Sequence, residues 1–129
     1  MPLAILAIVL ALGPYSGPPL RGSLADSVKF SLHISGRAGA PVALRATGVP
    51  HGWLASFCTN LVCASSHVTI RLPESGQQTI ELQLIQLDVR ATTPANAEVR
   101  SADGAHASAP LGESTKRQKA RRTVVPGAN

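Results

Sequence analysis

The two cysteines are the residues of this chain with the most clearly defined chemistry. Cys58 and Cys63 are the only cysteines among 129 residues, and four residues lie between them. Two cysteines in a short chain that is exported from the cytoplasm predict a disulfide. Closing so small a loop stabilises a fold by about 2 kcal/mol, less any strain. We therefore expect a structural disulfide at the end of a β-hairpin.

Two other uses of these cysteines remain open from the sequence. A metal site needs two further ligands, which His51 and His67 could supply, although Cys-x4-Cys with scattered histidines is not a standard zinc spacing. Free or redox-active thiols are the other alternative. Redox pairs usually have the spacing Cys-x-x-Cys at the start of a helix, and neither condition is met. The disulfide is preferred, and no metal or other cofactor is expected.

A cluster of basic residues near the C-terminus is the second group with distinct chemistry. Five of the twelve Lys and Arg residues form it: Lys116, Arg117, Lys119, Arg121 and Arg122. Such a cluster binds nucleic acid, another anionic polymer or an anionic lipid surface in a salt-dependent way. The rest of the chain is electrically neutral, so the net charge of +5 belongs to a tail and not to a folded face. The alternatives are a disordered, solubilising end without a partner, and a shifted reading frame.

Signatures of catalysis are missing from the sequence. There is no Gly-x-Ser-x-Gly motif. The histidines show no grouping by motif and are expected at the surface: His33, His51, His67 and His106. Five of the seven acidic residues are spread singly along the predicted domain: Glu74, Glu81, Asp88, Glu98 and Asp103. Aromatic residues make up only 3% of the chain, which leaves no stacking platform for sugars or bases. We expect neither enzymatic activity nor a small-molecule substrate.

The N-terminus is expected to direct export. Residues 3–12 are ten apolar residues, which match the core of a signal peptide and are too few to span a bilayer. Ser23-Leu24-Ala25 offers the small residues that a signal peptidase reads, with cleavage before Asp26. The alternative is a buried N-terminal strand or helix in a cytosolic protein. The expected location is outside the cytoplasm, either secreted or in the periplasm or cell envelope.

The segments that must position these groups have the pattern of β-strands. Residues 28–35 alternate apolar and polar side chains without error, which is typical of a strand with one face in water. A change of phase after Leu84 predicts a bulge near Leu84-Ile85, and Asp103-Gly104 predicts a two-residue hairpin turn. The remaining predicted strands are residues 41–46, 53–58, 68–72, 79–84, 97–102 and 105–109. The predicted core contains Phe30, Leu32, Leu44, Trp53, Phe57, Ile70, Leu82 and Leu84.

About seven short strands without an amphipathic helix predict an all-β fold. The expected architecture is an antiparallel immunoglobulin-like β-sandwich with disordered termini, and a small barrel is the alternative. The predicted organisation has three parts. Residues 1–25 are a signal peptide and linker, residues 26–110 are the sandwich domain, and residues 111–129 are a basic disordered tail.

Five motifs follow one another in the middle of the chain, over about 35 residues. They are Gly52-Trp53, the loop between Cys58 and Cys63, a strand at 68–72, a Pro-x-x-Gly turn at 73–76 and a strand at 79–84. This series resembles small immunoglobulin-like modules of secreted bacterial proteins. The resemblance implies a structural or adhesive role and no active site. The expected partner is an unidentified protein or a component of the cell envelope. The cysteines depart from the antibody-type pattern, because they are close in sequence and do not flank a tryptophan.

Overall fold

The computed structural model describes residues 7–15, 27–59 and 62–111, and these residues form nine β-strands and no helix. The strands are β1 (Val9–Pro14), β2 (Val28–Ser35), β3 (Pro41–Thr47), β4 (Trp53–Cys58), β5 (Cys63–Ser65), β6 (His67–Arg71), β7 (Gln77–Gln86), β8 (Asn96–Ser101) and β9 (His106–Pro110). They make two antiparallel sheets. Sheet I has the order β1-β2-β7-β4-β5, and sheet II has the order β6-β3-β8-β9. In this part of the chain, no helix is long and apolar enough to cross a membrane.

The two sheets pack against each other as a β-sandwich, with one hydrophobic core between them. Alternation of apolar and polar residues places every second side chain in this core. The core side chains of the central strands are Phe30, Leu32, Leu44, Phe57, Leu82, Leu84 and Val99. Trp53 and Ile70 are only half-buried and pack against the edge of the core, whereas the sequence predicted full burial for both. The all-β class and the antiparallel sheets agree with the sequence prediction.

Seven of the nine strands coincide with the predicted ones, and the other two are β1 and β5. β1 lies within the segment predicted to direct export. It pairs with β2 from Val9↔Ser35 to Pro14↔Phe30, and Leu10 is buried. Apolar side chains of β1, which precedes the predicted domain 26–110, pack against one side of the core. Leu111, the first residue of the predicted tail, is also fully buried.

The predicted bulge near Leu84-Ile85 is not present. β7 pairs regularly with β4 through Leu54↔Ile85 and Trp53↔Gln86. β7 ends at Gln86, and the chain then turns. The apolar residues that break the alternation therefore lie mostly beyond the strand. Leu87 and Val89, the next apolar residues of the opposite phase, are exposed to solvent.

The turn between β8 and β9 is one residue longer than the sequence predicted. The Ser101 N–H donates to the Ala105 carbonyl at 2.9 Å, which leaves a three-residue loop of Ala102, Asp103 and Gly104. Only Gly104 has a positive φ, of 101°. The carboxylate of Asp103 accepts a hydrogen bond from the Ser101 hydroxyl, which holds Asp103 in an ordinary conformation before the glycine. β9 is an edge strand, as expected for this hairpin.

Gly76 closes the turn before β7 in a place where a side chain does not fit. Its φ is +74°, and a Cβ atom would lie 2.5 Å from the carbonyl oxygen of Gly36. The two backbones are joined there by a hydrogen bond of 2.9 Å from the Gly36 N–H to the Gly76 carbonyl. Gly39 has a similar φ of +75°, but nothing lies within 4 Å of its Cβ position.

We expect Gly76→Ala to destabilise the fold more than Gly39→Ala does. Gly39→Ala imposes only the left-handed backbone on an L-residue, which costs about 1–2 kcal/mol. Gly76→Ala imposes the same conformation and also forces two backbones apart. Urea denaturation of both variants gives the comparison. Equal losses of stability would contradict the close approach of Gly36 and Gly76.

Candidate functional site

Cys58 and Cys63 form the disulfide that the sequence predicted, next to the turn of the β4–β5 hairpin. Cys58 ends β4 and Cys63 begins β5, and the two residues lie directly opposite each other. Their sulfur atoms are bonded, with the Cα atoms 4.0 Å apart. A disulfide indicates an oxidising environment outside the cytoplasm.

The alternative of a metal site has no geometric support in the described residues. The two sulfurs are bonded to each other, and His51 and His67 are exposed. Within residues 7–15, 27–59 and 62–111, no three side chains of His, Cys, Asp or Glu are grouped so that they could hold a metal ion.

A buried polar cluster lies beside the disulfide, on the side of sheet I that faces away from the core. Glu81 and Gln83 of β7 point away from the core, as the alternation of side chains along the strand predicts, but they are only 1% and 2% exposed. Ser27 and Ser56 are buried with them. The side-chain amide of Gln83 donates at 2.8 Å to Oε1 of Glu81 and accepts at 3.2 Å from the hydroxyl of Ser27. The negative charge of Glu81 also acts on the phenol of Tyr15. Burial raises the pKa of this phenol, and the Glu81 carboxylate raises it further.

The opposite side of the sandwich carries a row of basic side chains across sheet II. His67 of β6 pairs with Arg45 of β3, Arg45 pairs with Arg100 of β8, and Arg100 pairs with His106 of β9. All four are exposed on the solvent face of the sheet. Neighbouring strands are 4.7–4.9 Å apart, so the row spans about 14 Å. We call these four residues the basic row.

The pattern of each strand explains why these side chains share one face. In β3, Val42 and Leu44 enter the core, so Arg45 must point to solvent. The same alternation turns Arg100 outward between the buried Val99 and Ser101. The four residues are far apart in sequence, and the strand register alone brings them together. No clustering along the chain reveals them.

The electrostatics of the basic row favour an anion. Like charges directly opposite each other on a sheet are destabilising, and Arg45 lies directly opposite Arg100. Neither guanidinium has a carboxylate partner among the described residues. Glu98, an acidic residue of the same strand as Arg100, accepts a hydrogen bond from the Thr47 hydroxyl at 3.3 Å. An anion bound at the row would relieve the repulsion between the two guanidinium groups.

The basic row borders an open groove on the same face. The groove has a volume of roughly 410 Å³ and is lined by Arg45, His67 and Arg100 together with Ala43, Thr47, Thr69 and Ala102. No acidic side chain is among the described residues that line the groove. The hydroxyl of Thr69 beside the cations supplies a further donor for an oxygen atom of an anion, whereas that of Thr47 already donates to Glu98.

Sequence reasoning predicted one site that the structure describes and one that it does not. The disulfide site is present. The predicted anion-binding residues of the tail lie outside the described residues: Lys116, Arg117, Lys119, Arg121 and Arg122. The basic row was missed, because its four residues are far apart in the sequence and no motif groups them.

Comparison of the chain with models of protein families, with curated proteins and with solved structures finds no match.

Proposed function

We propose that this protein is an exported, non-enzymatic interaction module that binds an anionic polymer through the basic row of sheet II. The observation that carries the proposal is the register that aligns His67, Arg45, Arg100 and His106 across all four strands. An extended polymer with repeated phosphate, sulfate or carboxylate groups suits a straight row better than a single small anion does. An aromatic content of only 3% disfavours partners that are held by stacking, such as single-stranded nucleic acid, and it is compatible with an acidic polysaccharide held through its charged groups.

Export to an oxidising compartment is part of the proposal and is supported by the disulfide. Secretion, the periplasm and the cell envelope are the candidate destinations. An acidic polymer of a cell surface is a partner that such a location provides.

We also propose that the fold is of the immunoglobulin-like type. In the constant-type arrangement, strands A, B, E and D form one sheet, and strands C, F and G form the other. If β1, β2, β3, β4, β7, β8 and β9 are taken in chain order as A to G, the orders β1-β2-β7-β4 and β3-β8-β9 correspond to those two sheets. β5 and β6 are then additional strands, one on each sheet. This correspondence supports the resemblance to immunoglobulin-like modules of secreted bacterial proteins.

The test compares binding of a sulfated polysaccharide by the full chain and by the double variant Arg45→Ser/Arg100→Ser. We expect the double variant to lose at least tenfold in affinity at low salt. Each lost ion contact also reduces the dependence of log K on log salt by about one. The matched control is Arg37→Ser/Arg90→Ser, which removes the same charge from exposed positions outside the basic row. The control is expected to change affinity less than twofold, and an equal loss in both variants would contradict a localised site.

The basic tail is tested with a separate variant in the same experiment, because we propose it as a second anion-binding segment. A variant with the five tail cations replaced by Gln isolates the contribution of the folded domain. If the basic row binds the polysaccharide, this variant still binds it, and adding Arg45→Ser/Arg100→Ser to the variant abolishes binding. Loss of all binding with the tail variant alone would assign the function to the tail. Binding of duplex DNA in preference to the polysaccharide would overturn the choice of partner.

A further inference from the structure

The two sulfur atoms of the disulfide belong to residues with very different access to solvent. Cys58 is 1% exposed and lies in the buried polar cluster of sheet I, whereas Cys63 is exposed at the start of β5. Thiol–disulfide exchange begins with attack of a thiolate on one sulfur, and the other sulfur leaves. An external thiol therefore reaches Cys63, and Cys58 is the leaving group.

The surroundings of Cys58 suit a leaving thiolate. The Gln83 amide nitrogen lies 3.2 Å from Sγ of Cys58 and donates a hydrogen bond to it. The other contacts of this amide, with Glu81 and Ser27, fix its orientation. The hydroxyl of Ser56 is 3.8 Å from the same sulfur. A disulfide sulfur is a weak acceptor and a thiolate is a strong one, so these donors stabilise the departing thiolate. The carboxylate of Glu81, opposite Cys58, favours protonation of that thiolate to the neutral thiol.

Glu81 provides an independent observation that points to the same chemistry. It lies directly opposite Cys58 on the neighbouring strand, and its Oε2 atom is buried without a hydrogen-bond partner. Buried polar atoms without partners are rare in folded proteins and require an explanation. Reduction of the disulfide would create such a partner, since a Cys58 thiol can donate to a carboxylate across the strand pair.

We propose that Cys58–Cys63 is a thiol–disulfide exchange site, in which an external thiol attacks Sγ of Cys63. The new bond joins the sulfur of the attacking thiol to Cys63, and the bond between the two cysteine sulfurs breaks. The electron pair of that bond leaves on Cys58, beside the Gln83 amide and Glu81. The proton released by the attacking thiol ends on Cys58. The product is a mixed disulfide at Cys63 with a buried thiol at Cys58, and a second thiol can release Cys63 in the same way.

The test incubates the native full chain with reduced glutathione and follows the products by intact mass and peptide mapping after acid quenching. We expect a glutathione adduct on Cys63 and none on Cys58. The rate is expected to be independent of urea well below the unfolding transition, because the folded protein is the species that reacts. An adduct on Cys58, no adduct, or a rate that follows the unfolded fraction would overturn the proposal.

A matched pair of variants tests the role of Gln83 as a positioning residue. Gln83→Met keeps the approximate size of the side chain and removes the N–H donor, and we expect it to slow formation of the adduct about tenfold. Gln77→Met makes the same change at an exposed position of the same strand and is expected to leave the rate unchanged. Cys58→Ser keeps the accessible thiol and is expected to be alkylated at Cys63 without denaturant, which checks access to Cys63 even if Gln83→Met fails to fold. Equal rates for the two Met variants, or a protected Cys63, would contradict the proposal.

Discussion

Phe57→Ala is expected to remove most of the stability of the folded protein. Phe57 is 1% exposed and pairs with Leu82, which pairs in turn with Phe30 across the centre of sheet I. Truncating a buried phenylalanine to alanine costs about 3–5 kcal/mol, because apolar contacts are lost and a cavity remains. A domain of this size has about 5–15 kcal/mol in total. Urea denaturation monitored by circular dichroism measures the loss.

Two controls make this prediction specific to the core. Val89→Ala removes apolar atoms from a side chain that is 90% exposed, and its effect is expected within about 0.5 kcal/mol. Trp53→Ala removes a larger side chain from the same strand, but Trp53 is only half-buried. It also holds the loop after β7 through a hydrogen bond of 3.0 Å to the Thr92 carbonyl. We expect Trp53→Ala to cost less than Phe57→Ala, and the reverse order would place Trp53 at the centre of the core.

A chain that begins at Asp26 is expected to be less stable than the full chain and to self-associate. It lacks β1, in which Leu10 is buried and Leu12 packs against the core, and it also lacks Ile8, which packs against the core just before β1. Burying each such side chain contributes about 1.5–3 kcal/mol, which is partly offset by the entropy of ordering the strand. Without β1, the free backbone groups of β2 become an exposed edge, which favours pairing with another chain. Denaturation and sedimentation measurements give the two readouts.

Point substitutions in β1 of the full-length chain test the same prediction. Leu10→Asp places a charge at a buried position of β1, whereas Val9→Asp places it at the neighbouring position, which is 57% exposed. We expect only Leu10→Asp to reproduce the loss of stability. If the shortened chain is as stable and as monomeric as the full chain, β1 is dispensable, and its role as a removable export segment becomes the better interpretation.

These two interpretations of β1 show where sequence reasoning stops. A run of ten apolar residues lacks the alternation that reveals a strand, so it carries the pattern of a signal peptide and hides the pairing with β2. β2 itself was predicted with its bounds, because its alternation is complete over Val28–Ser35. β5 was missed because three residues are too few to show a period.

The candidate sites differ in how far the sequence could predict them. The disulfide joins two residues that are close in the chain, so local spacing was sufficient. The basic row depends on which strands become neighbours, and that choice is made by the whole fold. Alternation along one strand can show that a side chain points outward, but it cannot show that Arg45 and Arg100 lie beside each other. The burial of Glu81 and Gln83 could not be predicted either, because parity gives the side of the sheet on which a residue lies and not what covers it.

The order of strands in sheet I also affects when the protein can fold. β7 lies between β2 and β4, so it joins two pairs of strands that the chain makes much earlier. The contact between Ser27 and Gln83, for example, closes a loop of 56 residues. Folds dominated by such distant pairings form in milliseconds to seconds, more slowly than folds built from local contacts. Sheet I cannot be completed until Gln86 has been synthesised, so before that point no complete sandwich exists that would block passage of the nascent chain through a narrow membrane channel.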